Sequence, residues 1–200
     1  MLLFIISISH LFFSENFEYI LYKSPANILA SSPPVPALIS ITAFSAENDQ
    51  DPILQSTPEE FREFSEAMQG RWMSEIIWIH DWPGYGERGD TVTGYAEWQI
   101  GLDGKVVNGR EYIGPGSGRS ILYYDEYRKQ ITDHVVTSGG NVFVHYIYKD
   151  NGEWNYKITG STGDGKEITG SAIRYISDQG QTHRWVGEMF IDCLLYTSDA

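Results

Sequence analysis

From residue 71 onward the chain alternates apolar and polar residues with a period of two, in runs of five to twelve residues separated by turn chemistry. That alternation predicts strands with one face buried. The runs are Arg71–Trp82, Thr91–Ile100, Val106–Gly114, Ser120–Tyr124, Ile131–Thr137, Val142–Tyr148, Trp154–Ser161, Glu167–Ile176 and Thr182–Ile191. Between them stand LDGK, PGSG, YDEYRKQ, SGGN, DNGE, TGDGK and SDQGQ. Their Asp-Gly and Asn-Gly pairs supply the positive φ angles that tight hairpins require. Nine strands joined by short turns, with no crossover helix, predict an all-β antiparallel meander. Such a sheet must hide its edges, and curling into a barrel or half-barrel does so.

Before the first strand the period changes. In TPEEFREFSEAMQG, Thr57 suits an N-cap, Pro58 the first helical position, and Glu60 completes a capping box. Phe61, Phe64 and Met68 fall on one face, and Gly70 ends the run. The prediction is one short helix with a single apolar stripe, acting as a lid or plug.

Side-chain pairing offers a test of register. A turn centred on Asp103-Gly104 sets Glu97 opposite Arg110, Tyr95 opposite Tyr112 and Trp98 opposite Gly109. One face then carries an ion pair and an aromatic pair, while on the other Trp98 lies over a glycine; Glu111 shares that inner face. In the last hairpin His183, Trp185 and Met189 alternate with Arg184, Val186 and Glu188, so the first set faces inward. Pairing Tyr175 with His183 would oppose Arg174 and Arg184, an unfavourable match that points to a different register.

Composition narrows the functional classes. All six Trp lie between Trp72 and Trp185, which places the globular unit there. The formal net charge of −13, with no Lys/Arg cluster, repels phosphate backbones and anionic membranes, so neither nucleic acid nor membrane is an expected partner of the processed chain. Residues 1–46 read as a leader, either a secretory signal peptide ending near Ser45 or Ala46 or a stretch upstream of the true start, and they predict export to a periplasmic or extracellular space. Residues 47–56 are a polar linker, and 57–192 form the barrel domain. The last eight residues, CLLYTSDA, resemble a translated sequencing adapter, which would leave the barrel without its last strand and the domain without a cysteine.

Gly70-Arg71-Trp72, opening the first strand just after a short helix, resembles the G-x-W signature of lipocalins. Leu102-Asp103-Gly104-Lys105, Tyr124-Asp125, Asn151-Gly152-Glu153-Trp154, Asp164-Gly165-Lys166 and Ser177-Asp178 follow in an order similar to that of a family of secreted bacterial domains of unknown function with a lipocalin-like, or calycin-like, barrel. The resemblance covers about residues 57–192. It implies a barrel with a cavity, and no catalytic residues. In lipocalins a basic residue on the final strand packs over the G-x-W tryptophan; the strand that would carry it is the one expected to be missing here.

The inner face then nominates a site. With Trp72 inward, Ser74, Ile76, Trp78 and His80 follow by period two. Together with Trp98, Glu111, His183, Trp185 and Met189 they compose an aromatic pocket with a few polar groups, suited to a small hydrophobic or aromatic ligand. The alternatives are a structural or interaction barrel whose aromatics fill the interior, and an enzyme using Glu111, its pKa raised by burial, with a histidine. A four-residue loop at Ser138–Asn141 would set His134 opposite His145, a weak candidate metal pair lacking further ligands. No cofactor is implied, and oligomeric state is left open.

Overall fold

The computed structural model describes residues 17–23, 54–78, 81, 86–192 and 194–197. Its centre is a nine-stranded antiparallel meander, curled into a half-barrel. In chain order, β1 is Phe17–Lys23, α1 Pro58–Met68, β2 Gly70–Ile77, β3 Thr91–Gly101, β4 Val106–Ile113, β5 Gly116–Asp125 and β6 Gln130–Thr137. Then follow β7 Val142–Asp150, β8 Glu153–Ser161, β9 Glu167–Ser177, β10 Thr182–Ile191 and β11 Leu194–Thr197. Each meander strand from β2 to β10 pairs with the next. The first strand is shorter than the pattern suggested, and His80 and Trp82 lie outside the described residues.

Two short strands attach to the meander's edges. β1 runs antiparallel to both β2 and β10, with Tyr19 opposite Ile76 on one side and Trp185 on the other. The segment set aside with the leader is thus a paired strand bridging the two edges. β11, within the segment likened to an adapter, pairs with the end of β10 from Ile191↔Leu194 to Glu188↔Thr197.

The expected register holds at the β3–β4 hairpin. Glu97 faces Arg110, Tyr95 faces Tyr112 and Trp98 faces Gly109. On the outer face Glu97 takes both Arg71 and Arg110 at 3.4 and 3.5 Å, and the Tyr95 and Tyr112 rings lie 6.4 Å apart. On the inner face a methyl group at Gly109 would meet the Trp98 ring at 2.5 Å, so glycine is what lets the indole lie flat across β4.

The β6–β7 hairpin differs from expectation by one residue, and the β9–β10 hairpin takes the different register that its arginines called for. At β6–β7, Val136 pairs with Val142, so Asp133 opposes His145 and His134 opposes Val144. Thr137 bonds across to Asn141, leaving Ser138, Gly139 and Gly140 as a three-residue loop with Gly140 at φ 81°. That geometry is a type I turn closed by a left-handed glycine, and it takes one residue fewer than the loop expected. At β9–β10 the four-residue turn Asp178–Gln181 places His183 opposite Ile176 and Trp185 opposite Arg174, so the two arginines do not face each other. It repeats the backbone of Leu102–Lys105, with three successive residues at positive φ.

The helix closes one end of the half-barrel. Its capping box forms as expected, Glu60 N donating to Thr57 Oγ1 and Thr57 N to Glu60 Oε2. Phe61, Phe64 and Met68 are buried, and Phe64 meets Trp154 edge-on at 4.9 Å. Ser56 anchors the helix's approach, its N–H donating to Lys129 O and its hydroxyl to Ile147 O. At the helix's far end Trp72 Nε1 donates to Met68 O at 2.8 Å, and the Trp72 ring lies 4.4 Å from that of His183 on β10. Both residues are fully buried. Trp72→Phe leaves the helix-end carbonyl without this donor and opens a gap against His183. The expected outcome is a loss of about 1–3 kcal/mol, seen as a lower urea midpoint with an unchanged slope.

Candidate functional site

Inside the curl lies a cavity of about 250 Å³. Phe64 and Met68 of α1 line it together with side chains of the meander, and Ser117 near the start of β5, Ser138 and Gly139 of the β6–β7 loop and the adjoining Asn141 contribute as well. Aromatic walls come from Trp78, Trp98, Phe143, Tyr156 and Trp185, with aliphatic surface from Ile76, Ile113, Leu122, Val135, Ile147 and Met189.

Of the residues nominated from sequence, Ile76, Trp78, Trp98, Glu111, Trp185 and Met189 all front this cavity. Trp72 and His183 do not: their rings pack against each other, tilted by 37°, outside its lining. His80 lies outside the described residues. His134 and His145 do not meet, because the one-residue shift turns them to opposite faces. His134 points outward, stacked parallel to Tyr123 at 5.9 Å with its Nε2 3.2 Å from the Tyr123 hydroxyl. His145 points into the cavity. Among the described residues no group of three or more His, Cys, Asp or Glu is arranged to hold a metal ion.

The structure adds three polar residues that sequence reasoning missed. Asp133 on β6 sits 3.1 Å from His145 Nδ1 through its Oδ2, which orients the imidazole. Arg174 on β9 donates from Nε to the Tyr156 hydroxyl at 2.7 Å, and its Nη1 lies 3.4 Å from His183 Nδ1. Asp133, Tyr156 and Arg174 are all more than nine-tenths buried. A signal for the two charged ones existed: Asp133 shares its strand face with Ile131 and Val135, and Arg174 with Ala172 and Ile176, so each is a charged residue at an inward position of an apolar face.

Burial sets the electrostatics. The Glu111 carboxyl is raised to about 7, first by desolvation and then by the negative charge of Asp133, with Arg174 and His145 pulling the other way. The surface it retains faces the cavity. Tyr156 is pushed up to about 12 by burial, against the nearby Arg174 cation. Asp133 Oδ1 and Trp98 Nε1 are buried without a hydrogen-bond partner among the described residues. Such a group costs about 1–3 kcal/mol when left unmet. The cluster can therefore accept hydrogen bonds from a guest, balance a guest's charge and exchange a proton near neutral pH.

No family model matches this chain, and no curated protein or solved structure shows a significant similarity to it.

The pKa of Glu111 has a consequence for stability. A carboxyl that holds its proton more tightly when folded is destabilising once ionised, so its contribution is absent below pH 4.5 and grows until about pH 7. Glu111→Gln removes it. The variant is expected to match the parent at pH 4 and to exceed it at pH 8 by on the order of 3 kcal/mol, read by denaturant melts across that range.

Proposed function

We propose that the barrel binds a small, mainly apolar ligand in its interior, and that binding rather than catalysis is its role. The observation carrying this reading is the cavity itself: about 250 Å³ of space with a mostly apolar, tryptophan-rich wall, into which Glu111, Asp133, His145 and Arg174 also face. Ligand sites commonly combine a mostly apolar lining with a few convergent polar groups that orient the guest. A structural barrel packed solid by its aromatics is the competing reading, and the space between Trp78, Trp98 and Trp185 argues against it.

We also read the domain as lipocalin-like. Gly70-Arg71-Trp72 opens the first meander strand directly after the helix, and His183 from β10 packs over Trp72 with Arg174 behind it. That resembles the lipocalin arrangement, with β10 supplying the group that packs over the tryptophan. Export, as the leader reading implies, bears on the same seam. Cleavage near Ala46 would remove β1 and free the edge of β2 and the Thr182–Gly187 part of β10. The intact mass of the protein recovered from the medium or periplasm decides between a mature chain starting near residue 47 and one that keeps residues 17–23.

A neutral fluorescent probe tests the binding reading. N-phenyl-1-naphthylamine is expected to bind with one-to-one saturation and to quench tryptophan emission from the cavity walls. Met189→Trp, which fills the space, is expected to weaken that binding at least fivefold (about 1 kcal/mol). Probe fluorescence that never saturates, or that ignores the filling substitution, would favour the solid barrel.

A further inference from the structure

The charges inside the cavity do not balance when it is empty. Among the described residues two carboxyl groups face it, Glu111 from β4 and Asp133 from β6. Among the same residues one permanent cation faces them, Arg174 from β9, already engaged by Tyr156 of β8 and His183 of β10. His145 from β7 is bound to Asp133 and adds a charge only when protonated. The helix contributes only Phe64 and Met68 to the lining. With both carboxyls ionised and His145 neutral, one negative charge is left over. An uncompensated buried charge is expensive, and a group in that position gives it up by taking a proton or gains a partner. Glu111 is the group with an opening for a partner. It forms no hydrogen bond or ion pair with any described residue and faces the cavity. The same cavity is lined by the indoles of Trp78 and Trp98 and the rings of Phe143 and Tyr156, and aromatic faces attract cations.

We infer that the cavity's guest is a small aromatic amine in its ammonium form, the cation paired with the Glu111 carboxylate and the hydrocarbon held among the tryptophans. This rests on the binding reading above and assigns that ligand its charge. At about 250 Å³ the cavity has room for a ring with a short chain. A carboxylate guest would instead bring a third negative group beside Glu111 and Asp133. A neutral guest leaves the excess charge as it was. Binding of the ammonium exchanges the Glu111 proton for the cation, so the proton leaves to solvent as the ion pair forms. Glu111 stands near neutrality before binding, under burial and the Asp133 charge and against Arg174 and His145, so this exchange falls in an accessible pH range.

Three matched probes test the assignment by isothermal calorimetry on the full chain at pH 8: 2-phenylethylamine, 2-phenylethanol and phenylacetate. The amine is expected to bind about tenfold or more tighter than the alcohol, as a charge-assisted hydrogen bond warrants, with phenylacetate weakest. In Glu111→Gln that preference is expected to fall to about twofold or less, while the alcohol's affinity holds and reports an intact cavity. A second measurement needs no variant. Titrations at pH 6.5 in buffers of different ionisation enthalpy should show the amine releasing most of one proton and the alcohol none. Alcohol or phenylacetate binding as tightly as the amine, an amine preference that survives Glu111→Gln, or amine binding without proton release would overturn the inference and leave the binding reading standing. If none of the three binds at millimolar concentration, both fail.

Discussion

The meander's first and last strands are joined through β1, which pairs with both, and through the packing of Trp72. That indole is held from below by the carbonyl that ends α1 and is covered from β10 by His183. His183 leads to Arg174 on β9 and Arg174 to Tyr156 on β8, so one continuous line of contacts spans from the helix across the seam and along the far wall. A curled sheet carries no intrinsic reason for its two ends to approach. Here the β1 ladder, a fully buried aromatic ring and a hydrogen-bonded string of polar groups supply it. Arg174 in turn is tolerable at that depth only because its nitrogens are met by Tyr156 and His183. The same residues that close the wall therefore set one boundary of the cavity's polar cluster.

That cluster opposes stability locally. A solid apolar interior would bury no unpaired carboxyl and no orphaned indole N–H, and it would be the more stable arrangement. The chain instead gathers Glu111, Asp133, His145 and Arg174 around a space large enough for a guest. Departures of this kind from an apolar core concentrate where a protein acts. Anchored by its capping box and by Ser56, the helix adds the apolar side chains of Phe64 and Met68 to the cavity wall.

Much of this was legible along the chain. The helix, its cap and its buried face followed from Thr57, Glu60, Phe61, Phe64 and Met68. The β3–β4 register could be read because an ion pair, an aromatic pair and a glycine beneath Trp98 each demanded the same alignment. At β6–β7 no such agreement existed, and the outcome turned on whether Asn141 belonged to the loop or the ladder. A single residue there exchanged a supposed pair of histidines for the Asp133–His145 contact. Arg174 was visible as a charge on an inward face, yet nothing local named Tyr156 and His183 as its partners. Phe17–Lys23 was hidden by its apolar setting, since strands pair through the backbone and a strand's own residues do not specify a partner more than 150 positions away.

The sequence by itself determined the elements and their faces: a capped helix, nine alternating strands, and an inner surface bearing Trp72, Ile76, Trp78, Trp98, Glu111, Trp185 and Met189. Tertiary structure alone decided which of those side chains border empty space and which fill it. It also decided which buried charges stand close enough to shift one another, and what lies across the seam. Period-two alternation encodes a direction, inward or outward, for each residue. Distance across a curled sheet depends on how every turn and register adds up, and no local pattern carries that sum.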